Sequence, residues 1–443
     1  MIPAHLPALW LAAALAVPLL ALAWTAPPLL PMALGFLLGV GGLALTYRHL
    51  TAVWCVWLIA TGLSLEMTLS DIIGPEAFQP VIAAAKGGEI ALVLLTVARE
   101  GFVWDRFNPA FAFLAIAAMG AMAGVHPELT AADTIRSTIG STVPFLIFFV
   151  RPTHAWGAAL RRATGYIPLV SVALGALLDL AGLRPLFVDS GGVRLAALGH
   201  PAFLAGICLP AIYTCLLAWL NTGTRSTLLL LAANLAILVL TGARAPTAYA
   251  LLTVTGTLLL ARDTAIARGR RLLLAAIGAL LLPVLLLMGE SLGALRLFSL
   301  LGADAAHLSG RELLWAAVDA AANEAPWFGW GLGAGNVVIP RDGPIAQLLH
   351  TWAAHNEYLR MRLEGGAIGL SLLILLFLAW IMSHTRRLPP LERLTMRLVF
   401  LAFAAHAVTD NVLISTPACV FFAFAAAVFG DTPRRLRADT DVA

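Results

Sequence analysis

Long apolar stretches recur along nearly the whole chain and are separated by short polar connectors. An apolar stretch of about 17–25 residues is long enough to cross a bilayer as an α-helix. The pattern gives candidate spans at 7–24, 28–46, 51–67, 79–98, 107–124, 138–150, 165–182, 201–220, 226–241, 244–261, 272–288, 363–382, 395–413 and 416–430. Because 138–150 and 226–241 are short for a span, the sequence predicts an all-α, polytopic membrane protein with 12–14 transmembrane helices.

One long segment, residues 289–362, contains no predicted span and has helical patterns of its own. Ser309 and Glu312 have the spacing of a capping box, in which each side chain bonds a free backbone amide of the first helical turn. A second helix is predicted to start near Pro344 and to continue past His355, which lies on or beside its apolar stripe.

These features predict four parts of the chain. They are an N-terminal transmembrane bundle (1–288), a helical loop (289–362), C-terminal transmembrane helices (363–430) and a short charged tail (431–443).

The distribution of charged residues along the chain predicts its orientation in the membrane. The formal net charge is +4, and only 12% of residues are charged, whereas soluble domains have roughly 25%. With the N-terminus in the cytoplasm, arginines concentrate in the inside connectors, as the positive-inside rule requires. The loop 289–362 is then external, which in a bacterium means periplasmic, and both termini are cytoplasmic. The basic excess therefore indicates orientation in a membrane and predicts no nucleic-acid partner.

Metal and cofactor motifs are missing from the sequence. The four cysteines lie in apolar runs without CxxC or Cys/His spacing, so neither a disulfide framework nor a zinc site is predicted. No carboxylate cluster has metal-ligand spacing, and no glycine-rich phosphate loop is present. We expect neither a metal nor a cofactor.

His355 is the first candidate for chemistry. A neutral imidazole can accept a proton from a sugar hydroxyl and so act as a general base. The alternative is a histidine that is hydrogen-bonded for structure at the junction between helix and membrane. Its neighbours favour a site: Asn356 is polar, and Gly366 and Gly369 allow another backbone to approach closely.

Arginines that are predicted to be external are the second set of candidates. Arg194, Arg244 and Arg311 lie in separate outside segments, against the orientation bias. A guanidinium binds phosphate oxygens with two parallel hydrogen bonds, so converging arginines could hold a pyrophosphate. The alternative for each is contact with lipid headgroups or a local salt bridge.

Ionisable residues within predicted spans are the third set. Lys86, the only lysine, and Glu89 are three residues apart on one helix face, while Asp410 lies near the outer end of a span. Charged groups at membrane depth are candidates for function by default. The alternative for Lys86 and Glu89 is that they neutralise each other.

At this point the chain resembles the O-antigen ligase family. His355-Asn356, followed after nine residues by Gly366 and after two more by Gly369, matches the histidine–glycine signature of that family. Three weaker similarities are Thr-Gly-Ala-Arg244, Ser-Gly-Arg311 before a Trp/Gly-rich segment, and His406-Ala-Val-Thr-Asp410. Arg194-Leu-Ala-Ala-Leu offers a second possible match for the turn arginine.

The resemblance implies an integral membrane glycosyltransferase of the GT-C type in the bacterial inner membrane, with its active site facing the periplasm. It would transfer O-antigen from undecaprenyl pyrophosphate to lipid A–core oligosaccharide, with inversion and without metal. His355 would be the base, Arg194, Arg244 and Arg311 would bind pyrophosphate, and Asp410 would orient or balance charge. The remaining partners would be membrane lipids.

Other activities stay open. Within the superfamily, the alternatives are an O-antigen polymerase and a protein O-oligosaccharyltransferase. A transporter of lipid-linked glycans is less consistent with the sequence, because such proteins are typically built from internal repeats and we find no repeat.

Overall fold

The computed structural model describes residues 42, 46–150, 153–189, 192–262, 264–287, 311–349, 351–413 and 416–430. The chain forms two compact units, residues 1–53 and 54–443, and everything below concerns the second unit except the start of the first helix. The α-helices of the described part, in chain order, are α1 (Leu50–Gly62), α2 (Leu65–Ile73), α3 (Phe78–Glu100), α4 (Ala110–Ala123), α5 (Ala131–Thr142), α6 (His154–Leu180), α7 (Pro201–Thr222), α8 (Arg225–Leu240), α9 (Arg244–Leu260), α10 (Arg268–Leu287), α11 (Arg311–Glu324), α12 (Pro344–Leu349), α13 (Glu357–Thr385), α14 (Pro390–His406) and α15 (Thr416–Gly430).

The protein is an all-α polytopic membrane protein, as the hydropathy pattern predicts. In the described part, four helices are long and apolar enough to cross a membrane: Pro75–Glu100, His154–Leu180, Pro201–Thr222 and Glu357–Thr385. The α1–α2 pair is a fifth candidate if it counts as one broken span, and α4, α8 and α15 are shorter apolar helices. The first two predicted spans fall almost wholly outside the described residues, so the total of 12–14 stays a prediction.

Helices α7 and α15 form the centre of the bundle. Most of the side chains of both helices are buried, and both pack against α6. Helix α7 begins at Pro201, where the side chain of His200 accepts a hydrogen bond from the amide of Ala202, and it ends at Gly223 in the left-handed conformation. Both ends have the expected capping chemistry, because proline fits the first turn and glycine tolerates a positive φ.

Two predicted spans are not single helices. In the predicted span 51–67, Ser64 takes φ 52°, and the flanking helices α1 and α2 are bent by 57° at this break. The predicted span 138–150 is wrong, because α5 ends at Thr142 and a 3-10 helix, Val143–Phe149, follows. Pro144 in the first turn of that 3-10 helix has no amide hydrogen to continue the α-helical bonding.

A short β-hairpin between α6 and α7 was not predicted. Strands β1 (Phe187–Asp189) and β2 (Val193–Leu195) pair antiparallel, with Val188 opposite Arg194. Three-residue strands are too short to give a clear alternating pattern in the sequence. The hairpin matters because it fixes the position of Arg194.

Helix α13 is interrupted at Gly366, where the backbone takes φ 61° and ψ −166°. The segment Pro326–Gly331 lies against this break. The amides of Trp330 and Gly331 donate to the carbonyls of Leu363 and Glu364, at 2.8 and 2.9 Å.

The pairing is reciprocal. The amides of Ala367 and Ile368 donate to the carbonyls of Pro326 and Trp327, at 2.8 and 3.1 Å. Four backbone groups that a continuous helix would pair internally are thus paired with one loop. Gly366 is required there for two reasons: few other residues adopt this φ, and an added Cβ would lie 2.3 Å from the carbonyl carbon of Trp327.

The predicted boundary between the loop 289–362 and the C-terminal helices lies inside an element of the structure. Helix α13 begins at Glu357 and runs through residue 363 to Thr385. The last part of the predicted loop is therefore the first two turns of a membrane helix. The other boundaries of the predicted four-part division remain predictions.

We predict that Gly366→Ala lowers the thermal stability of the purified protein in detergent far more than Gly278→Ala. The first substitution forces alanine into a backbone region that only glycine adopts readily, which costs about 1–3 kcal/mol, and adds a backbone clash. The second places a methyl group on α10 with its nearest neighbour 4.0 Å away. Equal unfolding temperatures for the two variants would contradict the role of the helix break.

Candidate functional site

A cavity of about 1070 Å³ lies inside the helix bundle and includes the predicted base, His355. Its walls come from α2, α3, α5, α7, α11, α13, α14 and α15, together with residues 353–355 and 410–412. The ionisable side chains that line it are Glu66, Lys86, Arg136, His355, Arg360, Glu364, His406 and Asp410. The fold thus brings His355, Asp410 and Lys86 of the predicted set together, although they are far apart in the sequence.

His355 lies in a non-helical segment between α12 and α13, not within a helix as predicted. Helix α12 ends at Leu349, and α13 begins only at Glu357. Two local interactions explain the interruption: the side chain of Asn356 caps α13 by accepting from the amide of Leu359 at 3.1 Å, and the amide of Glu357 donates to the carbonyl of Ala407 at 2.7 Å. Asn356 therefore holds the helix start beside His355, which itself takes φ 47°.

His355 and Asp410 form a hydrogen-bonded dyad. Nδ1 of His355 lies 3.0 Å from Oδ1 of Asp410. Asp410 lies beyond the end of α14, which stops at His406, and its carboxylate also accepts from the amide of Asn411 at 2.9 Å. Burial alone would raise the pKa of Asp410, but the hydrogen bond from His355 and the nearby His355 and His406 rings lower it below its usual range. Asp410 is therefore ionised and accepts the proton on Nδ1.

The second ring nitrogen of His355 is also occupied. Nε2 lies 3.2 Å from Oγ1 of Thr351, four residues earlier in the same non-helical segment. His406 lies on the other side of the carboxylate, with Nε2 3.8 Å from Oδ2 of Asp410, and is nearly buried. Neither Thr351 nor His406 was among the predicted site residues, although each lies four residues before a member of the dyad in the sequence.

Lys86 projects from α3 into the cavity. Its Nζ lies 3.4 Å from the carbonyl oxygen of Gly140, near the end of α5. Gly140 makes room for this contact, since a Cβ there would lie 2.9 Å from Nζ. Glu89, the other predicted intramembrane charge, is fully buried and is not part of the cavity wall.

A buried charge cluster forms one wall of the cavity, and the sequence analysis missed it. The guanidinium of Arg360 donates to the carboxylates of both Glu357 and Glu364, and all three residues are at most 5% exposed. Glu364 also accepts from the amide of Gly335 at 3.3 Å. The signal was present in the sequence, because acid, base and acid at positions i, i+3 and i+7 fall on one helix face.

Of the three predicted pyrophosphate arginines, Arg194 and Arg244 are not among the residues that line the cavity. Arg194 is 7% exposed, and its Nε donates to the carbonyl of Thr241 at 2.8 Å, which ties the β-hairpin to the turn that contains Arg244. Arg244 begins α9 and lies outside the cavity wall. Arg311 begins α11, but its side chain is outside the described part of the chain. The arginines that line the cavity are Arg136 and Arg360.

Arg184 follows α6 in a connector that the charge pattern predicts to be external, and its contacts explain why an arginine is there. Arg184 donates to Asp71 of α2 and to the carbonyls of Ala197 and Gly199, at 2.9, 3.0 and 2.7 Å. It therefore fastens the segment before α7 to α2. Among the described residues, no group of three or more His, Cys, Asp and Glu side chains is placed to hold a metal ion.

These features define the class of the protein. Apolar helices of membrane-spanning length surround a cavity in which ionisable side chains from separate helices meet. The chain is therefore a multi-pass α-helical membrane protein with a candidate active site inside its bundle.

The comparison with protein families finds a match to part of the chain. The family described as O-antigen ligase matches residues 210–374, so the chain carries a domain of the O-antigen ligase family and the resemblance seen in the sequence is confirmed. This makes it a ligase- or glycosyltransferase-type enzyme in general. No curated protein matches the chain significantly. The predicted site residues inside the matched segment are Arg244, Arg311, His355, Asn356, Gly366 and Gly369.

We predict that Arg360→Met strongly destabilises the protein, whereas Arg362→Met does not. Removal of the Arg360 guanidinium leaves two buried carboxylates without their counter-charge, which typically costs about 3–5 kcal/mol. Arg362 pairs with Asp319, but its side chain is 38% exposed, and such pairs contribute at most about 1 kcal/mol. Thermal unfolding in detergent measures both variants, and similar losses would refute a structural role specific to the cluster.

Proposed function

We propose that the protein is an O-antigen ligase. It transfers the O-antigen polysaccharide from undecaprenyl pyrophosphate to lipid A–core oligosaccharide, at the periplasmic face of the bacterial inner membrane. The observation that carries the proposal is the His355–Asp410 dyad on the wall of a large cavity. The family match supports the type of reaction.

His355 acts as the general base. Because Asp410 accepts the proton on Nδ1, the neutral imidazole accepts at Nε2. Nε2 takes the proton of an acceptor hydroxyl as its oxygen bonds to the anomeric carbon of the donor. The bond from that carbon to the phosphate oxygen breaks, and undecaprenyl pyrophosphate leaves with the electron pair. Attack from the opposite face inverts the anomeric carbon.

The leaving pyrophosphate needs cations, and Lys86 is the strongest candidate among the described residues. Lys86 and Arg136 both line the cavity that contains His355, and a fixed positive charge beside a leaving phosphate lowers the barrier without a metal. Arg244 and Arg311 remain proposed pyrophosphate ligands from the sequence. For Arg194, burial and the bond to Thr241 favour positioning of the Arg244 turn.

The cavity also has a hydrophobic wall suited to lipid. Residues from three helices contribute to it, namely Ile82 and Ile90 of α3, Ile135 and Ile139 of α5, and Phe203 and Leu209 of α7. An apolar wall next to Lys86 gives the polyprenyl chain of the donor a surface that excludes water. We propose that the donor lipid lies along this wall and places its pyrophosphate at Lys86.

We expect His355→Gln to abolish the long-chain lipopolysaccharide ladder in a strain that lacks its own ligase but makes matching donor and core. Loss of a general base typically lowers the rate by about 10²–10⁴-fold. His384→Gln is the matched control: His384 also bonds an aspartate, Asp105, at 3.0 Å, but lies outside the cavity wall. It should retain the ladder at equal membrane abundance.

Other outcomes of the same gel assign another activity. Glycan that lengthens while it stays on the undecaprenyl carrier would identify a polymerase. Glycan attached to protein would identify an O-oligosaccharyltransferase. Normal ligation by His355→Gln would show that the base assignment is wrong.

We predict that Lys86→Met raises the KM for the lipid-linked donor and lowers kcat, because a cation beside the leaving group is lost. Gly140→Ala should act in the same direction but more weakly, since its methyl group displaces Nζ. Arg99→Met, on the same helix but outside the cavity and 40% exposed, is the control. The KM and kcat for the lipid-linked donor are measured for all three purified variants. An unchanged donor KM in Lys86→Met would exclude Lys86 as a ligand of the pyrophosphate.

A further inference from the structure

The proton-accepting nitrogen of His355 is covered by a hydroxyl of the protein itself. Nδ1 must carry the ring proton, because its partner is the ionised carboxylate of Asp410. In the neutral ring Nε2 can then only accept. Oγ1 of Thr351, 3.2 Å away, is therefore the donor of that hydrogen bond.

The threonine hydroxyl is held in this orientation. Its oxygen accepts a hydrogen bond from the amide of Ala353 at 3.3 Å, which leaves its proton for Nε2. The β-branched side chain has few χ1 choices, and Thr351 is half-buried. Thr351 and His355 belong to the same non-helical segment, so in the absence of substrate the hydroxyl lies beside the base.

We infer that Thr351 is a positioning residue that occupies Nε2 of His355 until an acceptor hydroxyl replaces it. This inference rests on the proposed function, because it gives a task to the nitrogen that the proposed base uses. The Thr351 oxygen lies where the oxygen of any molecule deprotonated by Nε2 has to lie. In the absence of acceptor, it keeps water from that place.

The reaction that Thr351 suppresses is hydrolysis of the donor. A water molecule at Nε2 would give its proton to the ring and its oxygen to the anomeric carbon. The bond to the phosphate oxygen would break, releasing free glycan and undecaprenyl pyrophosphate. A sugar hydroxyl competes better than water for the same place, because binding of the rest of the acceptor supplies the energy that displaces Thr351.

Comparison of Thr351→Ala with Thr351→Ser tests the inference, since these variants differ by one oxygen atom. Both are purified and supplied with lipid-linked donor, first without and then with acceptor. We expect the alanine variant to release free glycan without acceptor several-fold faster than the wild type. The serine variant, which keeps the hydroxyl, should behave like the wild type.

The acceptor KM is the second measurement. Without an internal hydrogen bond to displace, the acceptor KM of Thr351→Ala and Thr351→Val should fall about 2- to 10-fold, the worth of one hydrogen bond. A threonine that only supports the fold would instead lower kcat in both, with no gain in hydrolysis and no fall in KM. That result would overturn the inference. If the alanine variant does not accumulate, the same measurements on the valine variant test the inference.

His355→Gln combined with Thr351→Ala completes the test. Loss of the extra hydrolysis in the double variant would show that the hydrolysis uses the base, and its persistence would overturn the inference. Failure of the proposed function looks different, because the wild-type protein would then transfer no glycan to lipid A–core at all.

Discussion

The site depends on one interaction, the insertion of the Pro326–Gly331 loop into the break of α13. Unpaired backbone groups are costly at membrane depth, and here four of them are paired reciprocally with the loop. This pairing fixes the carbonyl of Glu364, and thereby the carboxylate that holds Arg360. The same pairing anchors α13, and the N-terminus of α13, capped by Asn356, lies next to His355. Gly366 of the signature thus serves the architecture, whereas His355 is the residue to which we assign the proposed chemistry.

Hydropathy predicted the membrane helices well wherever a helix is simply apolar. The predicted spans 79–98, 201–220 and 416–430 agree with α3, α7 and α15 to within a few residues. The errors occurred where a local geometry overrides composition. Ser64 breaks one apolar run, Pro144 follows the end of α5, and Asn356 caps the start of α13 one residue after His355. Periodicity cannot show such breaks, because the apolar pattern continues through them.

The candidate site was only partly predictable for a different reason. His355, Asp410 and Lys86 could be chosen from residue type and position, since ionisable groups are rare in such a chain. Gly140 could not, because its importance lies in a missing side chain beside Lys86, which the fold brings close. Thr351 is only four residues from His355, but the direction of its hydroxyl cannot be seen in the sequence. The surroundings of Arg194 could not be predicted for a related reason: its charge is visible in the sequence, but the carbonyl of Thr241 that binds it is not.

The cavity wall also holds a chemical group that occurs once in the chain. Lys86 is the only lysine among 443 residues, so its ε-amine is the only side-chain amine the protein possesses. A reagent selective for lysine side chains therefore cannot modify the connectors or the outer surface. Any such label that a mass spectrum finds would report that the reagent had entered the cavity, and a bound occupant would be seen as protection of this one amine.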